Sequence, residues 1–119
     1  MDVHEYNAAI TEIKARRALR LSYAKGLKLE QKRDLKVAVA EWFNTEELLI
    51  ASTHDAYRFR GQVAQLKGRL SAMEETDPKF KEVELDLAEC EKTLAKVTAQ
   101  AEACDGQLSE VREAAGIGA

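Results

Sequence analysis

Apolar residues recur at every seventh position through the C-terminal third of the chain. Counting from Phe80 gives Phe80, Leu87, Leu94, Ala101 and Leu108, and counting from Val83 gives Val83, Cys90, Val97, Cys104 and Val111. The positions between them are mostly Glu, Lys, Asp, Gln, Thr and Ala. An a/d pattern held over this length predicts a helix that lays a narrow apolar seam against other helices.

A second seven-residue frame runs upstream. Leu35, Trp42, Leu49, Ala56, Val63 and Leu70 occupy one position, and Ala38, Thr45, Ser52, Phe59, Leu66 and Met73 the other. The frame does not slip between Leu35 and Met73, which predicts one long helix over 28–75. Its length would be about 70 Å at 1.5 Å per residue. Asn44-Thr45-Glu46-Glu47 can also be read as the cap of a new helix, which would break or kink the helix near 43–45. Thr76-Asp77-Pro78 is the strongest punctuation: Thr or Asp can cap, and Pro suits the first turn of a helix over 78–113. A turn this short makes the two helices antiparallel neighbours. Pairing positions whose numbers sum to 153 sets Met73 against Phe80, Leu70 against Val83, Leu66 against Leu87 and Val63 against Cys90. Phe59 then meets Leu94, Ala56 meets Val97, Ser52 meets Ala101 and Leu49 meets Cys104, with Leu108 continuing the seam. Nearly every pair is apolar on both sides.

The first helix is expected over 2–25. Asp2 and Glu5 match an aspartate capping box, and Val3, Tyr6, Ile10 and Ile13 follow the spacing of a buried stripe. Lys25-Gly26 reads as its stop, with Gly26 in the left-handed conformation. This helix folds back over 28–46, and Trp42 falls where it and the end of the third helix both reach. Residues 114–119, with Gly116 and Gly118, read as a frayed, flexible tail. The expected fold is all-α: an elongated antiparallel coiled-coil hairpin with an N-terminal helix packed at its open end, in a single domain spanning 1–119.

Composition agrees with long helices. Of the 119 residues, 45% are hydrophobic and 33% charged, with one proline. The charged share exceeds the roughly 25% of ordinary globular domains. The formal net charge of −3 conceals an asymmetry: 13 Lys/Arg stand against nine Asp/Glu in residues 1–73, and five against 12 in the remainder. The start of the chain carries neither a basic nor an apolar leader segment, and no run approaches the ~18 apolar residues of a membrane span. A soluble, cytoplasmic protein without membrane contact is the expectation.

Candidate chemistry is sparse. Ser52, Thr53, His54 and Asp55 lie too close on one helix to converge as a triad, and His4 and His54 read as solvated. Cys90 and Cys104 are fourteen residues apart, hence ~21 Å along a helix, too far to bond each other. They lack the paired spacing of a zinc site and read as small buried hydrophobes. In a parallel dimer of the third helix each would instead face its twin. The acidic pairs on the third helix have no apolar pocket, and Gly61 and Gly68 match no phosphate loop. No cofactor and no enzymatic activity are expected.

Two surfaces stand out. Val39, Phe43, Ile50 and Tyr57 form an apolar stripe outside the seam, which predicts a further partner, either another protein or a second copy in a homo-oligomer. Lys14, Arg16, Arg17, Arg20, Lys25, Lys28, Lys32, Arg33 and Lys36 gather at two helix ends and their turn, opposed only by Glu30 and Asp34. Such a basic tip can lie on phosphates, which makes nucleic acid the alternative partner. The heptads resemble those of small coiled-coil assembly proteins, including virion and scaffold components. That resemblance implies a structural role within a larger assembly.

Overall fold

In the computed structural model, which describes residues 1–118, three helices follow one another: α1 (Val3–Ser22), α2 (Leu29–Ala72) and α3 (Phe80–Ala115). A 3-10 turn at Tyr23–Gly26 joins the first two. No strand occurs among the described residues. The molecule is a rod of 72 × 23 × 20 Å. The all-α hairpin with a third helix at its open end is the architecture observed.

Local chemistry accounts for the boundaries. The Asp2 side chain accepts the Glu5 N–H at 2.8 Å, and Glu5 accepts the Asp2 N–H at 3.4 Å, so the capping box forms. α2 runs unbroken through 43–45. Thr45 donates its hydroxyl to the Glu41 carbonyl at 2.8 Å, serving as a helix-interior side chain and not as a cap. The hairpin turn is a type I turn fitted to its residues. Asp77 opens it, Pro78 follows, Lys79 sits at φ −90° and ψ −6°, and the Phe80 N–H returns to the Asp77 carbonyl at 3.0 Å. The Asp77 carboxylate also accepts the Lys79 N–H at 2.9 Å.

Both ends around the base differ from expectation. Gly26 is not left-handed, because α1 closes by tightening into the 3-10 turn. The one positive φ among the described residues is at Gly116, φ 70°, beyond the end of α3. There the Ile117 N–H reaches the Arg112 carbonyl at 2.9 Å and the Gly116 N–H reaches the Glu113 carbonyl at 3.1 Å. This is a Schellman turn, whose apolar residue after the glycine packs back on the helix. Accordingly, what reads as a frayed tail at 114–118 is built into the core: Ala115 and Ile117 are buried. Residue 119 lies outside the described residues.

The largest buried cluster is confined to this base. Ile13, Val39, Trp42, Phe43, Ile50, Ala115 and Ile117 pack together, with Trp42 fully buried. Farther out the molecule is only two helices thick. Among the described residues no helix is long and apolar enough to cross a membrane.

Candidate interaction surfaces

The seam lies where the heptads place it. Ala56, Val63, Val83 and Cys104 are buried, and Leu49, Phe59, Leu66, Leu70, Met73, Phe80, Leu87, Cys90, Leu94, Val97 and Leu108 are half-buried. Two polar contacts across α2 and α3 keep this register and a third, from the long Lys67 side chain, reaches about a turn past it. Ser52 donates to Gln100 Oε1 at 3.2 Å, the Cys90 thiol lies 3.7 Å from Gln62 Oε1, and Lys67 pairs with Glu91 at 3.8 Å.

The apolar stripe read as a partner surface is occupied from within. Val39, Phe43 and Ile50 are buried under α1 and the end of the chain, and of the four only Tyr57 is open, at 50% exposure. The stripe reports a second neighbour of α2, as a second stripe should, but that neighbour is α1. Tyr57 lies beyond its reach. Near the start of α1, Tyr6 stacks on His54 with ring centroids 4.6 Å apart, and His54 Nδ1 lies 3.2 Å from the Met1 carbonyl. His54 is therefore half-buried packing, not the solvated side chain expected.

The basic tip divides into two sets. Arg16, Arg17 and Arg20 turn inward. Arg20 Nε donates to the Ala115 carbonyl at 2.7 Å and Arg16 donates to the Gly118 carbonyl at 3.1 Å. Both guanidiniums thus sit at the carbonyl end of α3, the negative end of its macrodipole. The Arg17 guanidinium lies 4.0 Å from the centre of the Phe43 ring, and Arg16 lies 5.9 Å from that of Trp42. These are cation–π distances. Lys14, Lys25, Lys28, Arg33 and Lys36 remain exposed, and Lys32 is half-buried. The three arginines, each half-buried, tie α1 to the rest of the base.

A polar cluster not anticipated from sequence lies beside them. Glu46, only 6% exposed, accepts from the Trp42 indole N–H four residues earlier and pairs with Arg112 of α3. Arg112 Nε reaches its second oxygen at 3.4 Å. A buried carboxylate needs such partners, and every buried side-chain nitrogen and oxygen among the described residues has one. The i, i+4 spacing of Trp42 and Glu46 was the available signal. Among the described residues, no group of three or more His, Cys, Asp or Glu side chains is placed to hold a metal ion.

On the flank of the hairpin away from α1 runs a groove of about 530 Å³. Phe59, Leu66 and Cys90 form its floor, with Gln62 and Gln65 on one edge and Asp86, Glu89 and Thr93 on the other. None of the described residues covers it. No family model, curated protein or solved structure matches the chain.

Proposed function

We propose that this chain is a non-enzymatic structural or interaction protein that docks into a larger assembly through the uncovered flank of its helical hairpin. The observation that carries this reading is the unequal use of the two flanks of the α2–α3 seam. One is sealed at the base by α1 and the C-terminal turn over the buried Val39, Phe43 and Ile50, and is open from Tyr57 outward. The other keeps an apolar-floored groove open to solvent. The buried polar groups support the same reading. Glu46, Arg112 and Ser52 are engaged in folding contacts, as are Arg16 and Arg20 at the helix end.

Nucleic acid binding through the tip is the weaker alternative, because three of its nine basic side chains already make contacts within the chain.

A photo-crosslinking residue placed at Leu48 or Gln65, on the open flank, should form adducts in cells that make the protein. The same residue at Arg33 should not. Adducts confined to Arg33, or absent from Leu48 and Gln65, would contradict the reading.

A further inference from the structure

We infer that the uncovered flank receives a second copy of this chain, side by side, with both hairpin tips pointing the same way. This inference rests on the docking reading above and names its partner.

The two flanks of α2 are separated by heptad position. Val39, Phe43 and Ile50 face α1. Asn44, Leu48, Ala51, Asp55, Arg58, Gln62, Gln65 and Arg69 recur at spacings of three and four on the other side of the seam, and Gln62 and Gln65 of this set line the groove. The corresponding edge of α3 carries Glu82, Asp86, Glu89 and Lys96, of which Asp86 and Glu89 line the groove. The open face therefore has a basic edge and an acidic edge toward the tip, either side of an apolar floor.

Isologous packing of this face requires a dyad in the interface plane, and charge chooses its direction. A dyad across the rod lays α2 on α2 and α3 on α3, opposing Arg58 and Arg69 to their own kind and the acidic edge to itself. A dyad along the rod lays α2 of one copy on α3 of the other, at equal distances from the tip. Arg69 then meets Glu82 and Asp86, Gln62 and Gln65 meet Glu89, and Lys96 comes level with the Asp55–Arg58 ion pair of the other copy. All neighbouring helices are then antiparallel, as in a four-helix bundle. None of Arg69, Glu82, Asp86, Glu89 or Lys96 makes an ion pair within its own chain among the described residues.

Two helix widths over about 33 Å of rod give a contact on the order of 600–700 Å² per copy. That lies just under the ~800 Å² per partner of a standard interface, so the dimer should be concentration-dependent and weakened by salt.

The test is solution mass by light scattering and sedimentation, using the full chain at about 50 mM and about 500 mM salt. At ~200 µM and low salt the parent should approach twice the monomer mass, and high salt should raise its dissociation constant at least tenfold. The variant Arg69→Glu and the variant Glu82→Lys/Asp86→Lys/Glu89→Lys should each dimerise more weakly alone than the parent and should pair when mixed. All these residues are exposed, and helicity by circular dichroism checks each variant; where one unfolds, the parent's salt dependence decides. A parent that stays monomeric, a mass insensitive to salt, or folded variants that do not pair on mixing would overturn the inference. If the parent is monomeric while Leu48 and Gln65 crosslink to a different protein, only self-association falls. If they crosslink to nothing, the docking reading falls with it.

Discussion

Arg20 of α1 closes the end of α3 by donating from Nε to the Ala115 carbonyl at 2.7 Å. The contact joins residues 95 apart in the chain and depends on the glycine that follows. Gly116 holds φ 70°, and a Cβ there would lie 2.7 Å from Arg20 Cζ. Gly116→Ala should therefore cost the left-handed backbone penalty of about 1–2 kcal/mol and also displace the arginine. Thermal unfolding should fall by several degrees, at roughly 3–6 °C per kcal/mol for a chain of this size. Gly68→Ala, where a Cβ meets nothing within 4 Å, should be neutral or stabilising because Ala is the better helix former. Equal melting temperatures for the two variants would contradict this account of the base.

The basic residues should separate by role. Reversing Arg16, Arg17 and Arg20 to Glu removes two helix-end contacts and three cation–π contacts, the third between Arg20 and Tyr23, and sets negative charge at the negative end of α3. Thermal stability should drop sharply, with Trp42 fluorescence shifting toward that of exposed indole. Reversing Lys25, Lys28, Arg33 and Lys36, all exposed, should leave melting within about 1 kcal/mol of the parent. This second set is the fair probe of nucleic acid binding, since it tests charge without unfolding the base.

Glu46 and Arg112 should behave as a unit. Removing one partner strands a buried charge, so Arg112→Ala or Glu46→Ala should cost on the order of 3–5 kcal/mol. Replacing both with Leu and Met should recover much of that loss, because apolar side chains of similar volume avoid the desolvation cost. Additive single and double effects in denaturant unfolding would show that the two are not coupled.

The hairpin was legible in the sequence because two heptad frames, read separately, agree on one register about the turn. Asp77-Pro78 marks that turn by its own chemistry. The second stripe was equally legible as a stripe. Its occupant was not, because hydrophobic periodicity reports that a face is buried and not by what. Val39, Phe43 and Ile50 needed a neighbour, and α1 with the turn after α3 supplies it. The contacts of the basic tip were hidden for a related reason: a count of arginines does not reveal carbonyls waiting at the end of a helix 95 residues away. Ala115-Gly116-Ile117 was the overlooked cue, since a glycine after a helix followed by an aliphatic residue is the Schellman pattern. Glu46 was hidden because a glutamate in a charged helix reads as solvated until a tryptophan one turn earlier is known to be buried.

The most direct test is the distance between α2 and α3 at the base, far from the turn. Spin labels at Glu47 and Ser109, both exposed, in a background lacking Cys90 and Cys104 and diluted with unlabelled chain, report the intramolecular separation. A closed hairpin predicts a distance below about 30 Å, an interaxial spacing of about 8–10 Å plus the label arms. A chain whose two long helices run on as one rod would give about 93 Å for the same pair, and that result would contradict the fold and every surface inferred from it.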